Sequence, residues 1–213
     1  MHFSRFPQEG VNLVSRPQPS DLLGFIDGIY PLSDGAKDFI SQHVSLHRYS
    51  KKELILKEGS ICNDIYFIRK GIVRGFIYEG KREVTTLFCK ENEMITSVSS
   101  IESRKPSFQT FQAIENVELF SMGLDHLQTL FRRFPETNYV ARIFLQHYFG
   151  ESEKIALIAR LKNAESKYVF FLGYYKDLAE RLPLHYIASF LSVTNETLSR
   201  IRKGRTAGIT KGF

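Results

Sequence analysis

The sequence predicts an α+β fold. An N-terminal antiparallel β-barrel is followed by a long helix and then by a helical C-terminal domain carrying a helix-turn-helix without a full wing. Three observations predict it. Between Val44 and Met122, short runs rich in β-branched and aromatic residues alternate with Gly or polar pairs. From Val140 to Leu161 apolar residues recur at helical spacing. From Leu184 to Lys203 two short amphipathic segments flank a three-residue turn.

Residues 1–20 read as an arm, because Pro7, Pro17 and Pro19 stand among polar residues without periodicity. From Asp21 to Gln42, Leu22, Leu23, Phe25, Ile26, Ile29, Leu32, Phe39 and Ile40 suggest short helices broken near Pro31 and Gly35. Six strand-like runs follow, at 53–57, 64–69, 72–78, 83–89, 108–114 and 117–122. Turn signals separate them, and Glu79-Gly80-Lys81 reads as a tight hairpin. Strands this closely spaced argue for an antiparallel sandwich or barrel. Leu124, Leu127, Leu130 and Phe131 then start a helical pattern.

Pro135 can open a long helix at its first turn. Val140, Ile143, Phe144, His147, Ile155, Ile158 and Leu161 place an apolar stripe on it, interrupted at Gly150, Glu151 and Lys154. That stripe is either an intrachain contact or a dimer seam. About 39 Å of helix is more than a small domain covers, which favours the seam. Asn163 to Leu182 reads as one further helix, ended by Pro183. The expected division is an arm at 1–20, a barrel domain at 21–134, a dimerisation helix at 135–161 and a helix-turn-helix domain at 162–213.

In the C-terminal segment, Leu184–Leu191 buries Ile187, Ala188 and Leu191, and Asn195–Lys203 buries Leu198 and Ile201. Ala188 is small where the helices cross. Val193 plugs the corner, and Thr194 caps the second helix. Ser192 replaces the usual turn glycine, which forces a non-Gly residue into an awkward conformation. Charge agrees with a polyanionic partner. The 213 residues carry +6, and Arg181–Phe213 holds +5 of it, six basic residues against Glu196 alone.

With the second helix in a major groove, Asn195, Glu196, Thr197 and Arg200 lie on its exposed side. Arg200 can bond a guanine edge, Glu196 a cytosine amine, and Asn195 an adenine or a phosphate. Arg202, Lys203 and Arg205 suit phosphates. The expected DNA-binding set is Thr194, Asn195, Glu196, Thr197, Arg200, Arg202 and Lys203.

LKEGSICNDIYFIRKGIVRGF resembles the cyclic-nucleotide-binding fold of the Crp/Fnr regulators, through Glu58-Gly59, Ile65–Ile68, Lys70-Gly71 and Val73-Arg74. SVTNETLSRIRK resembles that family's recognition helix. The resemblance covers about residues 20–205. It implies a double-stranded β-helix barrel that takes an effector, a homodimer through the long helix, and operator reading at Asn195, Glu196 and Arg200. An Arg is common in the family where Asn195 stands. The family's Gly-Glu pair for the ribose is replaced by Thr96-Ser97, and Phe108-Gln109 stands near its phosphate arginine. The effector pocket then falls on Thr96, Ser97, Val98, Ser107, Phe108 and Gln109, and cyclic AMP is not expected to fill it.

The expectation is a dimeric DNA-binding transcriptional regulator, not an enzyme. The alternative keeps the barrel as a small-molecule sensor but gives the C-terminal helices a protein partner in place of DNA. Expected partners are double-stranded DNA with a near-palindromic operator, a second copy of the chain, a small-molecule effector of unspecified class, and RNA polymerase. No run of about 18 apolar residues occurs, so no membrane is expected and the cytoplasm is the default location. Cys62 and Cys89 are spaced unlike a zinc site and are too few to hold an iron–sulfur cluster. Residues 53–122 contain no histidine, which removes a cupin-type metal enzyme; no metal and no cofactor are expected.

Overall fold

The computed structural model describes residues 19–209, with side chains to residue 204. Most of the expected arm, together with Lys211, lies outside the described residues, as does the side chain of Arg205. Two helices come first, α1 (Ser20–Ile29) and α2 (Asp34–His43). Eight strands follow: β1 (Ser45–Tyr49), β2 (Leu54–Leu56), β3 (Asp64–Lys70), β4 (Val73–Glu79), β5 (Arg82–Cys89), β6 (Met94–Ile95), β7 (Thr110–Ala113) and β8 (Val117–Gly123). A short helix, α3 (Val98–Ser103), lies between β6 and β7. The strands form two four-stranded sheets, ordered β1-β8-β3-β6 and β2-β7-β4-β5, with every pairing antiparallel. The core between the sheets is built on Leu56, Ile68, Val73, Phe111, Val117 and Leu119.

The turns formed where their residues require. At the β4–β5 hairpin Glu79 pairs with Arg82, so Gly80 (φ 61°) and Lys81 make a two-residue loop. Gly71 (φ 95°) lies so close to the next hairpin that a Cβ there would sit 2.6 Å from the Asn116 carbonyl oxygen.

Several elements depart from the sequence reading. Strand β1 lies outside the six expected runs. Its SLHRY is mostly polar and half-exposed, and His47 spends its Nε2 on Ser121 Oγ at 2.9 Å in place of apolar packing. Strand β6 is too short to leave a period. Helix α3 is serine-rich and carries little helical preference. It is held instead by buried Ser100, whose hydroxyl accepts from Cys62 N (2.9 Å) and donates to the Lys105 carbonyl (2.5 Å).

Helix α4 (Leu124–Arg133) leads into the 25-residue α5 (Glu136–Arg160). The expected helix from Asn163 to Leu182 is two, α6 (Ala164–Tyr174) and α7 (Lys176–Arg181). Tyr175 leaves the helical region (φ −128°, ψ 35°), and its ring packs against Phe171 and Phe190 while its hydroxyl donates to Glu151 at 2.7 Å. Helices α8 (Leu184–Phe190) and α9 (Asn195–Ile209) complete the described residues, and α9 runs past the expected end at Lys203.

The apolar stripe on α5 is an intrachain contact. Val140 and Phe144 pack with α1, α2 and α4, and Ile155 and Ile158 pack with α6, α7 and α8. Of the expected seam residues, Val140, Phe144, Ile155 and Ile158 thus face their own chain, while His147 is exposed. A different face, with Leu145 (57% exposed), Tyr148, Phe149 (71%) and Leu157, is open.

Candidate nucleic-acid interface

The helix-turn-helix forms as its sequence predicts. Ile187, Ala188, Leu191 and Leu198 are buried, and Ile201 and Val193 pack against the same cluster as Tyr168 and Phe171. Ser192 takes the turn's left-handed conformation (φ 53°), and Val193 N donates to the Ala188 carbonyl at 3.0 Å. Thr194 caps α9, its hydroxyl accepting from Thr197 N at 3.1 Å. Lys167 of α6 adds a feature that sequence reasoning missed: its ammonium donates to the Leu191 carbonyl at 3.0 Å, satisfying the end of α8.

With Leu198 anchoring one side of α9, Asn195, Glu196, Arg200, Arg202 and Lys203 are exposed. Thr197 is half-buried and its hydroxyl is 3.0 Å from that of Thr194, so both threonines serve the cap. The Glu196 carboxyl lies below the usual range, held by its own backbone amide and then by the Thr194 hydroxyl. It is ionised at neutral pH, as an acceptor must be.

The residues of the expected effector pocket divide. Ser97 and Ser107 are buried with their hydroxyls 2.9 Å apart, and Ser107 Oγ also donates to the Gln109 carbonyl at 2.9 Å. Gln109 Nε2 reaches Thr86 Oγ1 at 3.3 Å, and Thr96 Oγ1 donates to the Asp64 carbonyl at 3.0 Å. Val98 and Phe108 are exposed. The hydroxyl cluster also takes in Cys62 and Ser100, which the sequence did not mark. Arg104 reaches away to Asp125 (3.0 Å) and Asn63 (3.3 Å).

The helix-turn-helix is tied to the barrel through α8. Ser189 Oγ accepts from Thr85 N (3.0 Å) and donates to the Glu83 carbonyl (3.1 Å) of β5. Phe190 packs on Phe88. Arg74 of β4, 2% exposed, lies with its guanidinium 4.2 Å from the centre of Phe76 and 4.1 Å from that of Tyr186. It donates to Glu83 and to Gln112 Oε1 (2.9 Å). Arg181 pairs with Glu91 and Glu115, and Lys90 with Asp177. Arg74 Nε and Thr85 Oγ1 are buried without a protein partner among the described residues.

An antiparallel barrel is thus joined by one long helix to a helix-turn-helix. Residues 46–134 match the family described as cyclic nucleotide-binding domain. The anaerobic regulatory proteins of Haemophilus influenzae and Pasteurella multocida are 25% and 24% identical over 167 and 164 residues, in each case 71% of this chain. Those matches span 63% and 59% of the relatives' own length. The fold is shared with the c-di-GMP responsive global regulator CLP of Xanthomonas campestris (TM-score 0.67, 16% identity, 83% of this chain and 93% of that one). It is shared also with FixK2 of Bradyrhizobium japonicum (0.63, 21%, 78% and 86%) and a crp/fnr-family protein of Eubacterium rectale (0.64, 14%, 83% and 85%). Residues 46–134 thus match the cyclic nucleotide-binding domain family, and the chain is similar in sequence to anaerobic regulatory proteins and in fold to a protein of the crp/fnr family.

Proposed function

We propose that the protein is a homodimeric, sequence-specific DNA-binding transcriptional regulator whose barrel does not take cyclic AMP. The observation that carries it is α9. One side is locked by Leu198, and the other presents Asn195, Glu196 and Arg200 to solvent inside the most basic stretch of the chain. Arg200 reads a guanine edge, Glu196 a cytosine amine, and Asn195 an adenine or a phosphate; Arg202 and Lys203 hold phosphates. Selecting bound duplexes from a random pool tests this. The expected product is a near-palindrome with half-sites about one helical turn apart. Arg200→Ala relaxes preference at one base position, and Lys203→Ala weakens binding to all sequences. Equal losses on every sequence for both variants reject the role of Arg200. A protein-binding module would bind duplexes weakly and without sequence preference.

The second copy meets the open face of α5, where Leu145, Tyr148, Phe149 and Leu157 are otherwise left in water. Two-fold pairing there sets two reading heads on one duplex. In the barrel, the Ser107 hydroxyl is engaged with Ser97 and with the Gln109 backbone, and Arg104 is committed to Asp125. A buried cyclic phosphate needs a charged or densely hydrogen-bonded partner. Calorimetry of cyclic AMP against the pure protein is expected to show no heat of binding at micromolar ligand, and a micromolar isotherm overturns this part of the proposal.

A further inference from the structure

In a helix-turn-helix on DNA, the second helix enters the groove while the first crosses the phosphate backbone. The first helix here is α8, and cations belonging to the barrel flank both of its ends. At its start stands the β1–β2 turn with Lys51 and Lys52, both exposed. That turn is tied in place. Lys52 N donates to the Ala113 carbonyl (2.8 Å), and the Lys52 carbonyl accepts from Gln112 Nε2 (3.0 Å). The other end of the same Gln112 amide accepts from Arg74, whose guanidinium lies on the Tyr186 ring of α8. His185, beside Tyr186, feels this neighbourhood. Its pKa is pushed down first by burial and then by Arg74, with Glu83 opposing and Lys52 adding to the fall.

Towards the other end of α8, Ser189 is bonded to the Glu83 carbonyl. The two preceding residues, Lys81 in the loop of the β4–β5 hairpin and Arg82 at the start of β5, are exposed. Nearby acids are largely engaged: Glu83 with Arg74, and Glu53 with the Ser50 amide; Glu79 stands opposite Arg82 in the hairpin register. Seven helical residues span about 10 Å. Both basic pairs therefore sit on barrel turns tied to the short α8, one through Gln112 and Arg74 to Tyr186 and the other through Glu83 to Ser189.

We propose that the barrel is itself part of the DNA-binding surface: Lys51–Lys52 at one end of α8 and Lys81–Arg82 at the other hold phosphates flanking the groove that α9 enters. This rests on the reading of α9 as the recognition helix. A DNA-binding surface that spans both domains makes affinity depend on the docking of α8 to β5. A barrel that shifts against α8 then changes the number of phosphates held without touching a base contact.

The test is the salt dependence of duplex binding by fluorescence anisotropy, on the sequence selected by the full-length protein. Lys51→Ala/Lys52→Ala and Lys81→Ala/Arg82→Ala should each make the log–log slope shallower by about 2 per bound protomer, at about 0.9 per phosphate lost. Base preference should be unchanged. Lys51→Arg/Lys52→Arg should keep the slope of the unaltered protein, which separates charge from folding. Lys70→Ala/Lys105→Ala, an equal charge loss at two other exposed barrel positions, should also leave it unaltered. Unchanged slopes in both flanking double variants, with Arg200→Ala still relaxing base preference, overturn this proposal alone. A slope lowered equally by Lys70→Ala/Lys105→Ala overturns it in favour of bulk charge. An unaltered protein that binds no duplex overturns the reading of α9, and this proposal with it.

Discussion

Replacing Arg74 by alanine tests whether the barrel and the helix-turn-helix fold as one unit. The guanidinium donates to Glu83 and Gln112 and lies between the rings of Phe76 and Tyr186. The Glu83 side chain is 40% exposed, so that pair counts as about 1 kcal/mol. The bond to Gln112 is worth about 1.5 kcal/mol and each ring contact about 1. Against this, removing Arg74 relieves its unpartnered Nε and the burial of its charge, an offset of about 2 kcal/mol. The expected loss is about 2–3 kcal/mol, or roughly 4–12 °C in Tm for a chain of this size. Arg74→Met fills the same slot without charge and should cost under about 1 kcal/mol. Urea titration followed by far-ultraviolet dichroism reads both. An Arg74→Ala protein as stable as the unaltered one, or an Arg74→Met protein less stable than Arg74→Ala, refutes the assignment of Arg74 as the pin between the two parts.

Leu145→Asp/Phe149→Asp should turn a dimer into a monomer by light scattering; a dimer that persists moves the seam elsewhere. Thr194→Ala should cost about 1 kcal/mol through loss of the α9 cap and weaken duplex binding, and an unchanged melting curve contradicts the capping role. Burial lifts the Glu93 carboxyl to about 7, with Glu151 and Asp177 adding to the rise and Lys90 opposing it. A carboxyl raised on folding binds its proton more tightly in the native state, so stability falls as pH rises from about 4.5 to about 7 and stays low above that. Glu93→Gln should therefore match the unaltered protein near pH 4.5 and exceed it by roughly 2–3 kcal/mol at pH 8, read by urea titration at each pH. A difference that does not depend on pH contradicts it. Gly71→Ala should unfold the β3–β4 turn's contact with Asn116 at a cost of about 2 kcal/mol or more, seen as a lowered Tm; an unshifted Tm shows that the turn yields.

What was legible in the sequence follows from how local its causes are. The helix-turn-helix is specified by residues within about twenty positions: Ala188 for the crossing, Ser192 for the turn, Thr194 for the cap, Leu198 for the core. The β4–β5 hairpin needs only Gly80 and its flanking alternation. Strand β1 was not legible, because its partner β8 lies over seventy residues away and an exposed SLHRY carries no period of its own. The same holds for α3, fixed by a serine hydroxyl shared with Cys62 across the fold. In the site, the exposed residues of α9 could be named from helical phase alone. The partners that hold α8 in place could not. Lys167 lies 24 positions from Leu191, and Ser189 lies 104 from Thr85, with nothing in either local pattern to join them.

The stripe on α5 shows why an apolar pattern by itself does not name its partner. A 25-residue helix is about 38 Å long, and the expected seam looked too long for one small domain to cover. Two packing units cover it in turn. The first half, with Val140 and Phe144, is taken by α1, α2 and α4, and the second, with Ile155 and Ile158, by the helical domain. The interruption at Gly150, Glu151 and Lys154 falls where one gives way to the other. There Glu151 pairs with Lys154 and accepts from Tyr175, whose ring packs on Phe190 of α8. The polar break therefore marks the junction through which α5 holds the helix-turn-helix. Tyr175 thus ties Glu151 to Phe190, while Ser189 ties α8 to β5. The position of α8 is thus set from two sides at once, by the long helix and by the barrel wall.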